Sequence, residues 1–303
     1  MKIAYLIMAH TDAPQLGRLI KSLNVDGITD FYVHIDSKSD ISPFNEVVSS
    51  LKADVCFTDK RIYTTWGGYS QVLAYQELIR KCINSKIIYD RVFLLSGLDY
   101  PLWSNKRIIS YLEEHPEEEL IKAISITGTR MAVTKCKRYH FLRDSQISGE
   151  FRRYLLWGIR NFMRILPFRK NDYIWTNGKR NEIFFGSVWF GLTGRCAEYL
   201  HNQLTFNLDW EKYFKTALCP DELIPATIVF NSPFAKNAIL HTDHTKMGLV
   251  NVTHNHYIEY DTHIHIYDEN DFDKLIQSDK MFVRKLTSNK SLQLIAMIDR
   301  YRQ

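Results

Sequence analysis

Apolar residues in the first hundred positions follow two alternating patterns, continuous runs and helical spacing. Continuous runs indicate strands that are covered on both faces, and a repeat such as Leu16, Leu19, Ile20 and Leu23 indicates a helix. The predicted strands are Lys2–His10, Asp30–Asp36, Val55–Thr58 and Asp90–Ser96, and the predicted helices are Ala13–Leu23, Gln71–Asn84 and Lys106–Glu114. A strand, a helix and a second strand within about 35 residues form a βαβ unit, which requires parallel strands.

The remainder of the chain predicts fewer regular elements. Ile183–Leu192 reads as a strand with Gly186-Ser187 in its middle, and the later predicted helices are Arg195–Asn202, Pro220–Phe230 and a last helix that ends at Arg300. No repeat and no low-complexity linker divides the chain. We therefore predict one α/β domain with a mostly parallel central sheet flanked by helices and a C-terminal extension.

Composition adds only a little to the predicted fold class and location. The 303 residues are 45% hydrophobic, 24% charged and 13% aromatic, which is ordinary for a globular protein apart from the aromatic content. The five cysteines are odd in number and form no Cys-x-x-Cys pair, so reduced thiols and a cytoplasmic location are expected. The first strand follows a single lysine, so no signal peptide is expected there, and no apolar run approaches the length of a membrane span.

The run Asp90–Leu102, DRVFLLSGLDYPL, is the centre of the predicted sheet. Asp99 follows its strand directly, and ligands of open α/β sheets lie outside the carboxyl ends of the strands. Asp99 is therefore a candidate functional residue. The alternative is a simple turn in which Asp99 caps the helix that begins near Asn105.

Residues 130–180 differ from the rest in charge, with thirteen Lys or Arg against three Asp or Glu. Basic residues alternate there with aromatic and aliphatic ones over 151–170. We favour an acceptor-binding lid or a helix on an anionic membrane surface, and a merely solvated helix is the plain alternative. No nucleic-acid fold signature accompanies the stretch, so no nucleic-acid partner is expected.

Histidines concentrate in the C-terminal part, which holds six of the eleven: His241, His244, His254, His256, His263 and His265. Pairs at spacing two project to one face of a strand, which metal ligands could use. No spacing matches a zinc motif, so no metal site is expected.

Six stretches, taken in order, resemble the core-2/I-branching β-1,6-N-acetylglucosaminyltransferase family, which includes the peptide xylosyltransferases. They are IAYLIMAH (Ile3–His10), VHIDSKSD (Val33–Asp40), LLSGLDYPL (Leu94–Leu102), FFGSVWFGLT (Phe184–Thr193), CPDELIPATIVFNSP (Cys219–Pro233) and the weaker DFDKLIQSDKMFVRKL (Asp271–Leu286). The resemblance implies a glycosyltransferase A fold, a UDP-sugar donor and an inverting mechanism without a metal or other cofactor. The absence of a stalk or signal anchor suggests a bacterial member.

The resemblance also implies roles for individual residues. The implied nucleotide-sugar site comprises Met8, Ala9, His10, Asp36, Ser37, Lys38, Tyr63, Gly186, Ser187, Val188 and Lys285. The family's second diphosphate-binding cation, an arginine, aligns near Thr262, and His263, His265 or Arg284 could replace it. Without a divalent ion, positively charged side chains have to neutralise the negative charge of the diphosphate. Arg284 and Lys285 could do so. These assignments have a structural alternative: Asp36 could cap a turn, and a basic pair such as Arg284 and Lys285 is usually solvated.

Glu222 matches the family's catalytic base. Pro220, Asp221 and Glu222 also make an ordinary helix start, with proline at the first position and acidic residues in the first turn. An inverting transfer needs one carboxylate within reach of the acceptor hydroxyl, and Glu222 can supply it.

The sequence thus predicts an inverting glycosyltransferase that moves a sugar, GlcNAc in our interpretation, from UDP to a hydroxyl of a surface glycan or lipid-linked oligosaccharide. We assign 1–125 to a nucleotide-binding half, 126–240 to an acceptor and catalytic half, and 241–303 to a diphosphate-contacting extension. The expected location is the cytoplasm, with residues 130–180 suited to the inner face of the cell membrane. A non-catalytic nucleotide- or glycan-binding protein on the same fold is the alternative.

Overall fold

Most of the predicted strands form one sheet in the computed structural model, which describes residues 1–147, 149–260 and 262–303. In chain order the strands are β1 (Ile3–Ala9), β2 (Thr29–Ile35), β3 (Val55–Phe57), β4 (Arg91–Ser96), β5 (Asp99–Pro101), β6 (Glu119–Ser125), β7 (Tyr173–Thr176), β8 (Lys179–Glu182), β9 (Phe184–Gly186), β10 (Gly191–Thr193), β11 (Ala238–Leu240), β12 (His256–Tyr257) and β13 (Phe282–Arg284). The central sheet has eight strands in the order β11-β6-β10-β4-β1-β2-β3, with β9 also paired to β6. Strands β1, β2, β3 and β4 are parallel, whereas β10 runs antiparallel between β4 and β6.

Helices cover both faces of this sheet. They are α1 (Ala13–Leu23), α2 (Ser42–Ser49), α3 (Ser70–Asn84), α4 (Asn105–Glu114), α5 (Arg130–Ala132), α6 (Gly149–Ile165), α7 (Gly194–Phe206), α8 (Leu208–Phe214), α9 (Ile224–Phe230), α10 (Phe272–Ile276) and α11 (Leu292–Tyr301). One apolar core packs α3, α7 and α9 against the sheet, and the other packs α1, α4 and α11 against its opposite face. The predicted fold class, α/β with a mostly parallel central sheet flanked by helices, is confirmed.

Two small sheets complete the fold. Strands β12, β13 and β5 form one of them, in which Arg284 pairs with Asp99 across an antiparallel ladder. This ladder brings the C-terminal part of the chain to the carboxyl end of β4. The second is the β7–β8 hairpin, whose Asn177-Gly178 turn has positive φ at both residues, 49° and 75°.

Some sequence predictions need correction. Ile183–Leu192 is not one strand but two, β9 and β10, which pair with different neighbours. Pro220–Phe230 is not one helix, because a 3₁₀ turn over Pro220–Glu222 ends at Leu223 and α9 begins only at Ile224. Pro225 suits the first turn of this second helix, where its missing N–H costs no hydrogen bond. Across the described residues, no helix has the length and apolarity required to cross a bilayer.

Candidate functional site

Asp36 stands at the end of β2 and anchors the loop that follows β3. Its side chain accepts hydrogen bonds from the Lys38 backbone N–H at 3.0 Å and from the Thr64 hydroxyl. The Lys38 ammonium lies 3.4 Å from the same carboxylate, donates to the Thr64 carbonyl at 2.6 Å and sits 4.9 Å from the centre of the Tyr63 ring. Asp36 therefore does form the turn contact proposed as the alternative, and it also fixes Lys38 and Tyr63. A nucleotide role for Asp36, Ser37, Lys38 and Tyr63 stays a prediction.

Asp99 lies at the carboxyl end of β4 as predicted, but it does not cap a helix. It is fully buried, and Ser104 caps α4 instead by accepting from the Arg107 N–H. Arg284 donates to Asp99 Oδ1 at 3.1 Å, and His256 Nε2 lies 2.9 Å from Asp99 Oδ2. Burial alone raises the pKa of Asp99, but the charges of His256 and Arg284 outweigh it, so the pKa is lowered.

Arg284 and Lys285 belong to a segment that lies near the end of β1, because the Leu286 N–H donates to the Leu98 carbonyl and the Gly97 N–H donates to the Met8 carbonyl, each at 2.9 Å. The Arg284 guanidinium also stacks on the Trp189 ring at 4.5 Å. The His10 ring is partly enclosed, which lowers its pKa, and the positive charges of Arg284, Lys285 and Lys38 lower it further, whereas Asp36 opposes them. We call His10, Lys38, Arg284 and Lys285 the cationic corner.

Lys285 is the least satisfied member of the cationic corner. Burial lowers the pKa of its ammonium, and the neighbouring Arg284 lowers it further, with Asp99 opposing. Within residues 1–147, 149–260 and 262–303, the Lys285 ammonium has no hydrogen-bond or ion-pair partner. A bound anion would supply the missing partner.

Met8 and Ala9 contribute backbone and packing rather than polar side chains. The Ala9 carbonyl accepts from the Asp36 N–H at 2.9 Å, and the Met8 carbonyl accepts from the Gly97 N–H at 2.9 Å. These bonds hold the ends of β1, β2 and β4 together beneath the cationic corner.

Glu222 lies in the 3₁₀ turn that precedes α9, with its side chain 20% exposed. It does not cap α9. Its Oε2 accepts from the Lys135 ammonium at 2.5 Å. Burial lowers the pKa of Lys135, but the charge of Glu222 outweighs burial and the pKa is raised. We call Cys219–Glu222 together with Lys135 the acidic turn.

Asp221 lies in the same turn as Glu222 but in a very different environment. Its Oδ1 atom is buried, and it finds no hydrogen-bond partner among the described residues. Burial and the neighbouring charge of Glu222 raise the pKa of Asp221 to about 7, against the lowering effect of Lys135. The acidic turn thus holds two carboxylates whose environments differ, an arrangement that recurs in sites for proton transfer.

Gly186, Ser187 and Val188 follow β9 and lie mostly inside the protein. A side chain at Gly186 would meet the Lys122 carbonyl oxygen at 2.6 Å, so the close packing of β9 on β6 requires glycine. Ser187 is buried, and its hydroxyl accepts from the Trp189 N–H at 3.2 Å. The Lys135 ammonium lies 4.9 Å from the ring centre of Phe185, which places this segment beside the acidic turn.

One loop joins the cationic corner to the acidic turn. Thr64 binds Asp36 and Lys38 at its beginning, and the Gly67 carbonyl accepts from the Cys219 N–H at 3.2 Å. Gly67 has φ +71°, and a side chain there would lie 3.5 Å from the Cys219 sulfur. We call residues 63–68 the linking loop. It connects the predicted nucleotide-binding residues Asp36 and Lys38 to Cys219, which lies in the same turn as Glu222.

The histidines of the C-terminal part do not converge. His256 contacts Asp99, His254 lies 4.0 Å from Glu118, and His265 lies 3.3 Å from Asp271. His263 is exposed beside Thr262, so neither it nor His265 joins the cationic corner through these contacts. In the part of the chain that the structure describes, no three metal-ligating side chains cluster together.

Sequence reasoning assigned no role in this site to Lys135, Trp189, His256 or residues 64–68. Trp189 lies in the stretch FFGSVWFGLT and His256 among the C-terminal histidines, but the roles found here depend on contacts far away in the chain. The run Thr64-Thr65-Trp66-Gly67-Gly68, with its two glycines, was the one local signal available for the linking loop.

Comparison with known proteins identifies relatives of the chain. The family model described as "Core-2/I-Branching enzyme" matches residues 3–276, which confirms the family resemblance and covers five of the six stretches in full. Xylosyltransferase 1 of Homo sapiens is 24% identical over 77% of this chain and 22% of its own length. Xylosyltransferase 2 of Bos taurus is 23% identical over 99% of this chain and 33% of its own length. The chain therefore spans a third or less of these relatives.

Solved structures overlap the chain only loosely. S. aureus TarS 1–349 covers 80% of this chain and 58% of that chain, with 11% identity and a TM-score of 0.36. Mouse xyloside xylosyltransferase 1 in its apo form covers 96% and 99%, with 11% identity and a TM-score of 0.33. Overlaps this slight carry no argument about function.

Proposed function

This chain belongs to the family of core-2/I-branching enzymes, and from that premise we propose that it is an inverting glycosyltransferase. The proposed donor is a UDP-sugar, and the acceptor is a hydroxyl of a surface glycan or lipid-linked oligosaccharide. The observation that carries the proposal is the linking loop, which contacts the cationic corner at one end and the acidic turn at the other. An inverting transfer needs a cationic site for the leaving diphosphate and a carboxylate base at the same edge.

In this mechanism the cationic corner binds the diphosphate. Lys285 carries an ammonium without a described partner, and Arg284 is held beside it by Asp99. Both positive charges would stabilise the charge that develops on UDP as the bond from the anomeric carbon to the phosphate oxygen breaks. We propose that these cations replace a divalent metal, since no Asp-x-Asp motif follows β2 or β4.

Glu222 acts as the general base on the opposite side of the sugar. The carboxylate is ion-paired with Lys135 at 2.5 Å, and part of it faces solvent, where an acceptor hydroxyl can reach it. It accepts the proton of the acceptor hydroxyl while that oxygen bonds to the anomeric carbon, and UDP leaves from the other face. In-line attack of this kind inverts the anomeric configuration.

A donor panel tests this function. We expect one UDP-sugar to raise the melting temperature and to release UDP when an acceptor is present, with UDP-GlcNAc as the proposed donor and UDP-xylose as its main competitor given the xylosyltransferase relatives. Turnover should survive EDTA. If EDTA abolishes turnover and a divalent ion restores it, the metal-independent mechanism is wrong.

The alternative, a non-catalytic nucleotide- or glycan-binding protein, predicts a different outcome of the same panel. UDP-sugars would then raise the melting temperature without release of UDP for any acceptor tested.

A further inference from the structure

Helix α6 presents an unusually apolar face to solvent. None of its 17 residues is buried. Its large apolar side chains are instead mostly exposed: Phe151 69%, Tyr154 62%, Trp157 59%, Phe162 62% and Ile165 84%, followed by Phe168 at 66%. Contiguous exposed apolar surface on a globular protein marks a binding site. Leu156, Ile159 and Met163, on the opposite side of the helix, are half-buried.

The same helix is strongly basic. Residues 149–170 contain six Lys or Arg and a single acidic residue, Glu150. Arg153, Arg160 and Arg164 recur at spacings of seven and four, which places them in one stripe along a helix of about 3.6 residues per turn. Tyr154, Trp157 and Ile165 lie beside that stripe. Aromatic side chains flanked by arginines are typical of helices that lie in the plane of a membrane interface.

An arginine-lined cleft opens beside this helix. Its lining residues are Arg143, Gly149, Arg152, Arg153, Leu156, Trp157 and Arg160. Among the described residues the one ion pair that these arginines make is Arg153 with Glu150, at 3.1 Å. Burial lowers the pKa of Arg143, and the charges of Arg152 and Arg160 lower it further, although Cys219 opposes them. An anion with several oxygens, such as a phosphodiester, would relieve this repulsion and match the planar guanidinium groups.

We propose that Arg143 together with residues 149–168 binds the surface of a membrane that contains anionic phospholipid. The exposed aromatic side chains enter the boundary between headgroups and acyl chains, and the arginine cleft binds lipid phosphates. We call these residues the docking surface.

The docking surface is attached directly to the candidate site. Arg152 donates to the Arg143 carbonyl at 2.8 Å. The next residue, Asp144, accepts from the Thr65 hydroxyl at 2.9 Å and from the Tyr69 and Ser70 N–H groups at 2.9 and 3.0 Å. Asp144 thereby caps α3 and holds the linking loop. A membrane bound at the docking surface therefore lies next to the acidic turn, and, resting on the proposed function, this favours a lipid-linked acceptor over a soluble glycan.

Vesicle flotation of the full chain tests the proposal without any activity measurement. We expect binding to vesicles of phosphatidylcholine with phosphatidylglycerol, weak binding to phosphatidylcholine alone, and release at high salt. The triple change Arg152→Ala/Arg153→Ala/Arg160→Ala should lower the partition coefficient about 100-fold, at roughly fivefold for each arginine. The matched control is Arg195→Ala/Lys212→Ala/Lys215→Ala, which removes the same charge from exposed positions in α7, in α8 and directly after α8.

A second pair of variants tests the aromatic contribution. Phe151→Ala/Phe162→Ala should weaken binding to anionic vesicles, whereas Phe206→Ala/Leu208→Ala, also exposed at 78% and 59%, should not. Because α6 buries no residue, the docking-surface variants should keep the wild-type melting temperature and the same stabilisation by UDP-sugars. That readout separates a failure of membrane binding from a failure of the proposed transferase function.

Three results would overturn the proposal. The first is no flotation with anionic vesicles, in which case a fall in turnover of the arginine variant on a soluble acceptor would support a lid instead. The second is an equal loss of vesicle binding in the matched charge control, which would show that binding depends only on net charge. The third is tighter binding to tRNA than to vesicles, with both lost in the arginine variant, which would indicate a nucleic-acid surface.

Discussion

Two buried aspartates, one near each end of the candidate site, show how differently the same side chain can be treated. Asp99 receives hydrogen bonds or ion pairs from Ser96, His256 and Arg284, and its pKa is lowered even though burial, the largest influence, raises it. Asp221 has a buried oxygen with no described partner, and burial and the charge of Glu222 raise its pKa to about 7. The first aspartate holds Arg284 and His256 in place through its two carboxylate oxygens. The second lowers the stability of the fold, because its buried oxygen lacks a hydrogen-bond partner among the described residues beside the proposed base.

The strongest test of this contrast is Glu222→Gln in the acidic turn. The amide keeps the size of the side chain but cannot accept the proton, so turnover should fall by roughly 10²–10⁴-fold. The melting temperature and the affinity for the donor should survive. Steady-state UDP release and thermal shift with UDP-sugar measure the two effects.

Asp221→Asn is the matched control, and it should cost much less turnover. Wild-type turnover in Glu222→Gln, or a greater loss in Asp221→Asn, would move the base away from Glu222. Since Asp99 is fully buried and engaged, Asp221 would then be the carboxylate to examine.

Asp99→Ala should have the next largest effect, on stability. It leaves Arg284 and His256 without their buried partner, and removal of one member of a buried ion pair costs about 3–5 kcal/mol. Chemical denaturation measures the loss. Asp59→Ala, which breaks an exposed pair with Lys81, serves as the control and should change stability little. Equal losses in the two variants would contradict the structural role given to Asp99.

Lys285→Ala should weaken UDP binding without unfolding the protein. A hydrogen bond to a charged group contributes about 1.5–3 kcal/mol, so a loss of about 10- to 100-fold in affinity is expected by calorimetry. Lys290→Ala is the control in the same segment, because Lys290 already has Asp268 at 3.3 Å. Unchanged affinity in Lys285→Ala would remove this lysine from the site.

The smallest expected effect is a gain in the stability of the variant Asp221→Asn that depends on pH. Because the pKa of Asp221 is raised from 3.8 to about 7 on folding, ionisation penalises the folded state from about pH 4 upward and fully above pH 7. Asp221→Asn removes this penalty, so its melting temperature should exceed the wild type by about 2–6 °C at pH 8 and match it near pH 4.

Asp172→Asn provides the opposite trend for comparison. Burial raises the pKa of Asp172, but the Gly128 N–H and Lys137 outweigh it, and the pKa is lowered. This variant should therefore be less stable than the wild type at neutral pH, with a difference that fades on acidification. A stabilisation of Asp221→Asn that grows toward low pH would show that its carboxylate is not the strained group.

The sheet was predictable because its strands are continuous apolar runs. Strands β1, β2 and β4 lie within a residue of the predicted bounds, since residues covered on both faces leave an unmistakable pattern. Strand β6 and helix α2 were not predicted. The broken Pro220–Phe230 segment shows the limit of local rules, because a proline and two acidic residues describe a helix start whether or not the helix continues.

The candidate site was predictable only where one segment carries its own signal. Asp36, Asp99 and Glu222 each follow or open a recognisable element, and the family resemblance added residues without a pattern of their own. Lys135 carried no signal, and His256 stood out only as one of the clustered histidines, because nothing near them in the chain indicates their partners Glu222 and Asp99. The pairing of Asp99 with Arg284 spans 185 residues and depends on the β5–β13 ladder.

The β5–β13 ladder has a consequence for when, during synthesis, the proposed diphosphate site can form. Ribosomes extend a chain at about 5–20 residues per second, and most of the sheet is available long before Phe282–Arg284 emerges. The two cations that would hold the leaving group therefore emerge about 185 residues after Asp99. Under the proposed function, a nascent chain that ends before them carries the strands of the site without the groups that would bind the diphosphate.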